Sequence, residues 1–216
     1  MSLQFLIKTS KPFSSGTIRD NSDMVRQLVS KSLVKRILIT ISGPAGSGKS
    51  HCACRLAKLY RVPYHSAGSI FRKMALEKGV SLEEFSIMAA QDPEIDREID
   101  SRTSELAKKC GLILEGRLVS FFSLSSSHRI SFYLTAPFEE RVRRIAEREG
   151  MGLKESEAIT RIREEGEHKR YLLLYGLDAN DLSRYDFVIN TSLWDKESIV
   201  TLLKTIVDIY LKTHSR

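Results

Sequence analysis

Eight consecutive residues, Gly43-Pro44-Ala45-Gly46-Ser47-Gly48-Lys49-Ser50, place three glycines, a lysine and a hydroxyl at the spacing G-x-x-x-x-G-K-S. Glycines at these positions permit tight turns with φ > 0, which point successive backbone N–H groups into one concavity and cradle an anion. A helix opening at Lys49 would aim its positive end at the same point. The mechanism expected of such a loop puts the Lys49 ammonium on the β- and γ-phosphates of a nucleoside triphosphate and the Ser50 hydroxyl on Mg²⁺. The pattern specifies a triphosphate donor and says nothing about the acceptor. His51, next in sequence, reads as a helix-surface residue beside that donor rather than a catalytic base, because transfer between phosphates needs little base chemistry.

An acceptor that is itself phosphorylated brings like charges together, and arginines offset that repulsion with forked hydrogen bonds. Arg72, Arg117, Arg144, Arg148, Arg163 and Arg170 are the candidates. Arg117 follows the apolar run Leu112-Ile113-Leu114 and the pair Glu115-Gly116. It therefore falls at the C-terminal end of a strand, where open α/β sheets bind ligands. Glu115 is a candidate to position Mg²⁺ or its waters. Arg163, Glu167 and Arg170 stand at i, i+4 and i+7 and share one helix face. Gly150 and Gly152 just before that helix suit the hinges of a lid that closes and excludes water. Trp194, after the last strand, is expected to pack in a groove near the nucleotide rather than to stack on substrate.

The elements that must position these groups alternate along the chain. Ile37 to Ile41 is a branched apolar run that reads as a buried parallel strand, followed by the loop and a helix to about Tyr60. A short strand is expected at Pro63–Ser66. Helices are expected from Ser69, from Ser81 (a capping box with Glu84) and from Asp92-Pro93 toward Lys109. This helical block, about 68–109, is too long for a single crossover and predicts an inserted subdomain. Strands at 112–114, 129–134 and 187–190 alternate with charged helices at 137–148 and 156–174. A closing helix at 198–213 would bury Ile199, Leu202, Leu203, Ile206 and Ile209. The pattern predicts a three-layer α/β fold around a parallel sheet.

The chain has 216 residues, 42% hydrophobic and 28% charged, a globular composition. Its net charge of +7 is unevenly spread: Lys8, Lys11, Arg19, Arg26, Lys31 and Lys35 against Asp20 and Asp23 place +4 of it before Arg36. Residues 1–35 are read as a basic N-terminal extension and 36–216 as the enzymatic domain. A small anionic substrate accounts for the remaining arginines, so nucleic acid is not the expected partner. The extension's composition also suits an organelle-targeting peptide, against which Asp20 and Asp23 count. Three cysteines, Cys52, Cys54 and Cys110, form neither a disulfide framework nor a zinc pattern, and a reducing, cytoplasmic setting is expected. No apolar run approaches the roughly 18 residues of a membrane span.

Several segments together resemble archaeal-type cytidylate kinases of the P-loop nucleoside monophosphate kinase family. They are Ser66-Ala67-Gly68-Ser69-Ile70-Phe71-Arg72, Ser81-Leu82-Glu83-Glu84-Phe85, Asp92-Pro93-Glu94-Ile95-Asp96, Glu115-Gly116-Arg117-Leu118, Arg144-Ile145-Ala146-Glu147-Arg148-Glu149, Arg170-Tyr171, Tyr175-Gly176-Leu177-Asp178 and Tyr185 to Ser192. The resemblance covers about 36–210. It implies a core, a helical monophosphate-binding insert (about 68–109) and a lid (about 149–170). The implied reaction is ATP + CMP or dCMP → ADP + CDP or dCDP, with Mg²⁺, in a monomer. It further implies that Ser66 lies near the cytosine, that Arg72 and Arg117 hold the CMP phosphate, and that Arg144 stacks near the adenine with Arg148 beside the phosphates. Arg163 and Arg170 would close over the transferring group, with Glu167 bonded among them. Bacterial relatives carry an aspartate after the Gly-Arg pair; Leu118 stands there in this chain, so other groups must read the base. His51, Val119-Ser120-Phe121 and Gly166 also depart from the family pattern. The competing readings are a kinase of the same fold acting on UMP, AMP or a shikimate-like acceptor, and a non-enzymatic ATP-binding or RNA-associated protein.

Overall fold

The computed structural model describes residues 33–123, 128–178 and 181–214, apart from the side chains of residues 82, 83, 86, 87, 90 and 170. Residues 1–32, most of the basic extension, lie outside the described residues.

Five strands form one parallel sheet in the spatial order β2-β3-β1-β4-β5: β1 Leu38–Ser42, β2 Tyr64–Ser66, β3 Leu112–Glu115, β4 Arg129–Thr135 and β5 Phe187–Asn190. β1 is central and buried along its whole length, in register with β3 (Ile41 opposite Glu115) and β4 (Ile41 opposite Phe132). Alternation along β1 serves both faces. Ile39 and Ile41 pack with α1 (Lys49–Tyr60) and α8 (Lys196–Thr213) through Cys52, Leu56, Leu203 and Val207. Leu38 faces the opposite layer with Leu112, Leu114, Ala107 and Val119. On that side Thr40 and Ser42 share hydroxyl hydrogen bonds with Ser120 (3.0 and 3.2 Å), so the buried polar groups of β1 are satisfied.

Three helices fill the connection from β2 to β3: α2 Ala67–Glu77, α3 Leu82–Gln91 and α4 Pro93–Ala107. Ile70, Met74, Phe85, Ile95 and Ile99 give them a small core of their own. Reciprocal capping boxes start α2 (Ser66 with Ser69) and α3 (Ser81 with Glu84), and Asp92 caps α4 ahead of Pro93. A short helix, α5 Val119–Phe122, follows β3. After β4 come α6 Phe138–Glu149 and α7 Leu153–Tyr175, separated only by Gly150-Met151-Gly152. Gly150 has φ +68 at the end of α6, and the Ser156 hydroxyl donates to the Val142 carbonyl (2.9 Å), tying α7 back onto α6.

The structure departs from the sequence reading in three places. The buried face of α8 is Ile199, Val200, Leu203, Val207 and Leu211, while Ile209 is 56% exposed. The stripe is rotated because apolar residues surround this helix more widely than one face requires. β5 is an edge strand paired only with β4 among the described residues, and Phe187 and Val188 are exposed. The helix Val119–Phe122 was not expected; four residues leave no periodicity to read.

Candidate active site

The loop after β1 turns through Gly43 (φ +140), Gly46 (φ +76) and Gly48 (φ +87), and Gly48 is the N-cap of α1. A Cβ on Gly43 would sit 2.0 Å from the Leu134 carbonyl oxygen, and one on Gly46 would sit 2.6 Å from the Arg141 carbonyl oxygen. Glycine is needed at both places for conformation and for space. Around Gly48 nothing lies within 4 Å. Gly43→Ala is therefore expected to cost about 2–4 kcal/mol of folding stability, from overpacking against backbone added to strain. Gly48→Ala is expected to cost only about 1–2 kcal/mol. Chemical denaturation of the two variants checks this; equal losses would contradict the geometry.

At the head of α1 the Lys49 ammonium donates to the Pro44 carbonyl (3.0 Å) and lies 3.9 Å from Glu115. Burial lowers its pKa from 10.5 to about 8; the Glu115 carboxylate works against that shift and the Arg117 cation with it. Glu115, the last residue of β3, accepts from the Ser50 hydroxyl (3.1 Å) and the Tyr64 hydroxyl (3.0 Å). Burial and the same carboxylate push Tyr64 up to about 12, so it stays a donor. Parallel pairing of β3 with β1 thus sets a carboxylate beside the loop's serine. Ser50 and Glu115 fit a Mg²⁺ ion, which takes one or two protein oxygens and completes its shell with phosphates and water.

Arg117 follows β3 and meets helix α7. Its guanidinium is 2.8 Å from Glu167 and 3.8 Å from Glu164. Arg163 Nε donates to the same Glu167 carboxylate (2.9 Å), so the i, i+4 pair read from the sequence is present. The backbone of Arg170 lies one turn further along α7. On α6, Arg144 donates to Glu140 (2.9 Å), to the Thr191 hydroxyl (2.9 Å) and to the Gly46 and Thr191 carbonyls (each 3.3 Å). Arg148 is exposed, paired with Glu149. Arg143 with Glu140 and Glu147, and Arg161 with Glu157, are ion pairs at the surface, where solvent screening leaves them little part in stability.

Three cavities are lined by these groups. One of about 750 Å³ is lined by Gly46, Gly48, Lys49, Ser50, His51, Arg144, Arg148 and Trp194, among others. His51 and Trp194 thus flank the loop's outer side, and Trp194, 43% exposed, forms a groove wall. A second cavity of about 720 Å³ lies between α2, α4, α5 and α7 and includes Gly68, Arg72, Arg117 and Arg163. A third, about 430 Å³, joins the loop at Gly43 and Pro44 to Arg117, Glu164 and Glu167. Arg117 lines both of the last two. Ser66 does not line the 720 Å³ cavity: its hydroxyl caps α2 by accepting from the Ser69 amide (3.0 Å), and its neighbours Ala67 and Gly68 form the wall instead.

Sequence reading missed Arg141. It is 7% exposed and donates to the Ala45 carbonyl (3.1 Å), the Ala136 carbonyl (3.1 Å) and Glu164 (2.5 Å), joining the phosphate loop, α6 and α7. Its one signal was its place three residues before Arg144 on the same helix. Glu164 and Tyr64 were missed as well, since nothing local marks either. Cys52 is buried and its thiol is pushed up to about 12, which keeps it inert beside the loop.

Residues 38–193 match the Cytidylate kinase-like family. A protein named cytidylate kinase from Pyrococcus abyssi is 45% identical over 172 residues, covering 80% of this chain and 94% of the relative. One from Staphylothermus marinus is 43% identical over 176 residues, covering 82% and 99%. Among solved structures, a shikimate kinase from Acinetobacter baumannii superposes with TM-score 0.56 at 17% identity, covering 87% of this chain and 99% of its own. An uncharacterized protein from Eubacterium ventriosum superposes with TM-score 0.62 at 18% identity, covering 80% and 98%. At these identities the structural likeness speaks for the fold alone.

Proposed function

The chain belongs to the cytidylate kinase-like family, and from that premise we propose that it transfers the γ-phosphoryl group of ATP to CMP or dCMP, giving ADP and CDP or dCDP. The observation that carries the reading is the placement of Arg117 between the phosphate loop and a separate cavity that also contains Arg72 and Arg163. A donor site alone would need no such second arginine-walled space.

In this reading the loop amides and Lys49 hold the β- and γ-phosphates, with the adenosine in the cavity walled by His51, Arg144, Arg148 and Trp194. Arg72 and Arg117 hold the acceptor phosphate. Arg163 and Arg170 close from α7 over the transferring group, and Glu167 orients Arg163 and Arg117. Catalysis is positioning plus charge stabilisation of a loose transition state, which is why cations outnumber bases around the transfer point. Ser50 and Glu115 would hold Mg²⁺, which when bound neutralises charge on the β- and γ-phosphates. Residues 36–216 act as one kinase domain, with 68–109 as the monophosphate-binding insert and 149–170 as the lid. The three free cysteines suit a reducing, cytoplasmic setting, and a monomer suffices because every proposed group comes from one chain. Among the described residues no helix is long and apolar enough to cross a membrane.

Steady-state transfer from ATP to CMP, dCMP, UMP, AMP and shikimate tests the reading. CMP or dCMP is expected to lead in kcat/KM; UMP above CMP, or shikimate as the only acceptor, would overturn it.

A further inference from the structure

Several groups lining the 720 Å³ cavity have no part in the phosphate machinery. The lining includes the apolar Phe71, Ile99, Val119 and Phe122 and the cationic Arg72, Arg117 and Arg163. Two carboxylates from α4, Asp96 and Asp100, line it as well. They are four residues apart and share a face of α4. Both are half-buried, whereas Arg97 and Glu98 between them are exposed. The adjoining stripe of α4, Ile95, Ile99 and Thr103, is buried, which fixes the rotation of the helix and keeps the two carboxylates on the cavity. Asp100 is further held by α7, because the Tyr175 hydroxyl donates to its Oδ2 at 2.5 Å. A carboxylate has about four acceptor positions, so one that is already bonded can still accept from a ligand.

Resting on the kinase reading above, we infer that Asp96 and Asp100 read the pyrimidine base by accepting from the exocyclic 4-amino group of cytosine. The cavity's lining combines arginines and carboxylates with apolar side chains. It therefore suits a flat ligand that carries both an anionic group and hydrogen-bond donors. Cytosine presents two N–H donors at position 4, whereas uracil presents an oxygen that a carboxylate repels. A site built to bond a donor rejects the analogue that lacks it far more strongly than apolar contact can. This supplies the base-reading groups that Leu118, in the position of the bacterial aspartate, does not.

The test compares kcat/KM for CMP and UMP in wild type, Asp96→Asn, Asp100→Asn and the double variant, at saturating ATP. Asparagine keeps the shape, removes the charge, and can turn its amide toward the uracil oxygen. The CMP:UMP ratio is expected to fall by about 10²-fold in the double variant, with the KM for ATP unchanged. A ratio that moves less than about threefold, or a parallel loss for both nucleotides, would overturn the assignment. A second arm needs no variant: equilibrium binding to wild type of a CMP analogue with hydrogen in place of the 4-amino group should weaken about 10²-fold relative to CMP. Equal affinity would overturn the assignment even if the aspartate variants do not fold. Wild type that fails to phosphorylate CMP at all would sink the kinase reading instead, so the two failures are distinguishable.

Discussion

Lys49→Met is expected to lower kcat by about 10³-fold or more, while the Kd for CMP measured without ATP stays within about threefold of wild type. The Lys49 side chain is 11% exposed, and its ammonium is held at the loop by the Pro44 carbonyl. Charge in such a site acts through a low effective dielectric and needs no reorganisation as the phosphoryl group moves. Methionine keeps the length and apolar stem but contributes no cation. Glu115, 3.9 Å from the ammonium, would then lose that cationic neighbour. A pH profile separates this electrostatic role from packing. With its pKa lowered to about 8, Lys49 is charged below that value and increasingly neutral above it. kcat/KM for ATP, which reports on the free enzyme, should therefore decline as pH rises through about 8 in wild type. That decline should be absent from the residual activity of the methionine variant. Isothermal titration with CMP and a stopped assay across pH supply both measurements. A variant retaining a tenth of wild-type kcat would remove Lys49 from the transfer step.

Whether a feature was legible in the sequence depended on how far apart its cause and effect lie along the chain. The phosphate loop could be read because its glycines, lysine and serine are contiguous and their conformational demands are local. The same holds for the capping box at Ser81, whose partner Glu84 is three residues away, and for β1, a continuous apolar run. Arg117 could be placed because a strand end is a predictable position. Arg141 could not: its burial follows from α6 packing on the loop at Ala45 and on α7 at Glu164, contacts 96 and 23 residues away in sequence. The same limit hid the facing of Asp96 and Asp100, which depends on which side of α4 the insert's core takes. Where local signals were plentiful but ambiguous, phase was lost. The closing helix carries Ile206, Val207, Ile209 and Tyr210 in one turn, so its sequence allows several stripes, and only packing on β1 selects Leu203, Val207 and Leu211. The cap at Ser66 was not read, because a serine three residues on is not the acidic partner that marks a capping box; its hydroxyl accepts from the Ser69 amide.

Arg117→Ala is expected to raise the KM for CMP by about 10²-fold and the KM for ATP by less than about fivefold. Arg117 lines both the acceptor cavity and the space against Gly43 and Pro44, so its side can be decided only by such a difference. Without substrate its guanidinium sits 2.8 Å from one Glu167 oxygen, while the other accepts from Arg163. A phosphate entering the cavity competes with that carboxylate for the same donors. Removing Arg117 leaves Glu167 with Arg163, so the buried carboxylate keeps a cation and the fold is expected to survive; the denaturation midpoint checks this. Arg117→Lys should recover little of the affinity, because an ammonium cannot make the two parallel bonds of a guanidinium to a phosphate. Glu167→Gln provides the opposing case. If Glu167 only competes for Arg117, its neutral amide should lower the KM for CMP. If it instead orients Arg117 and Arg163 in the closed state, kcat should fall while the KM for CMP changes little. Equal rises in KM for ATP and CMP in Arg117→Ala would move this arginine from the acceptor side to the shared phosphate path, leaving Arg72 and Arg163 as the cations that define the acceptor end.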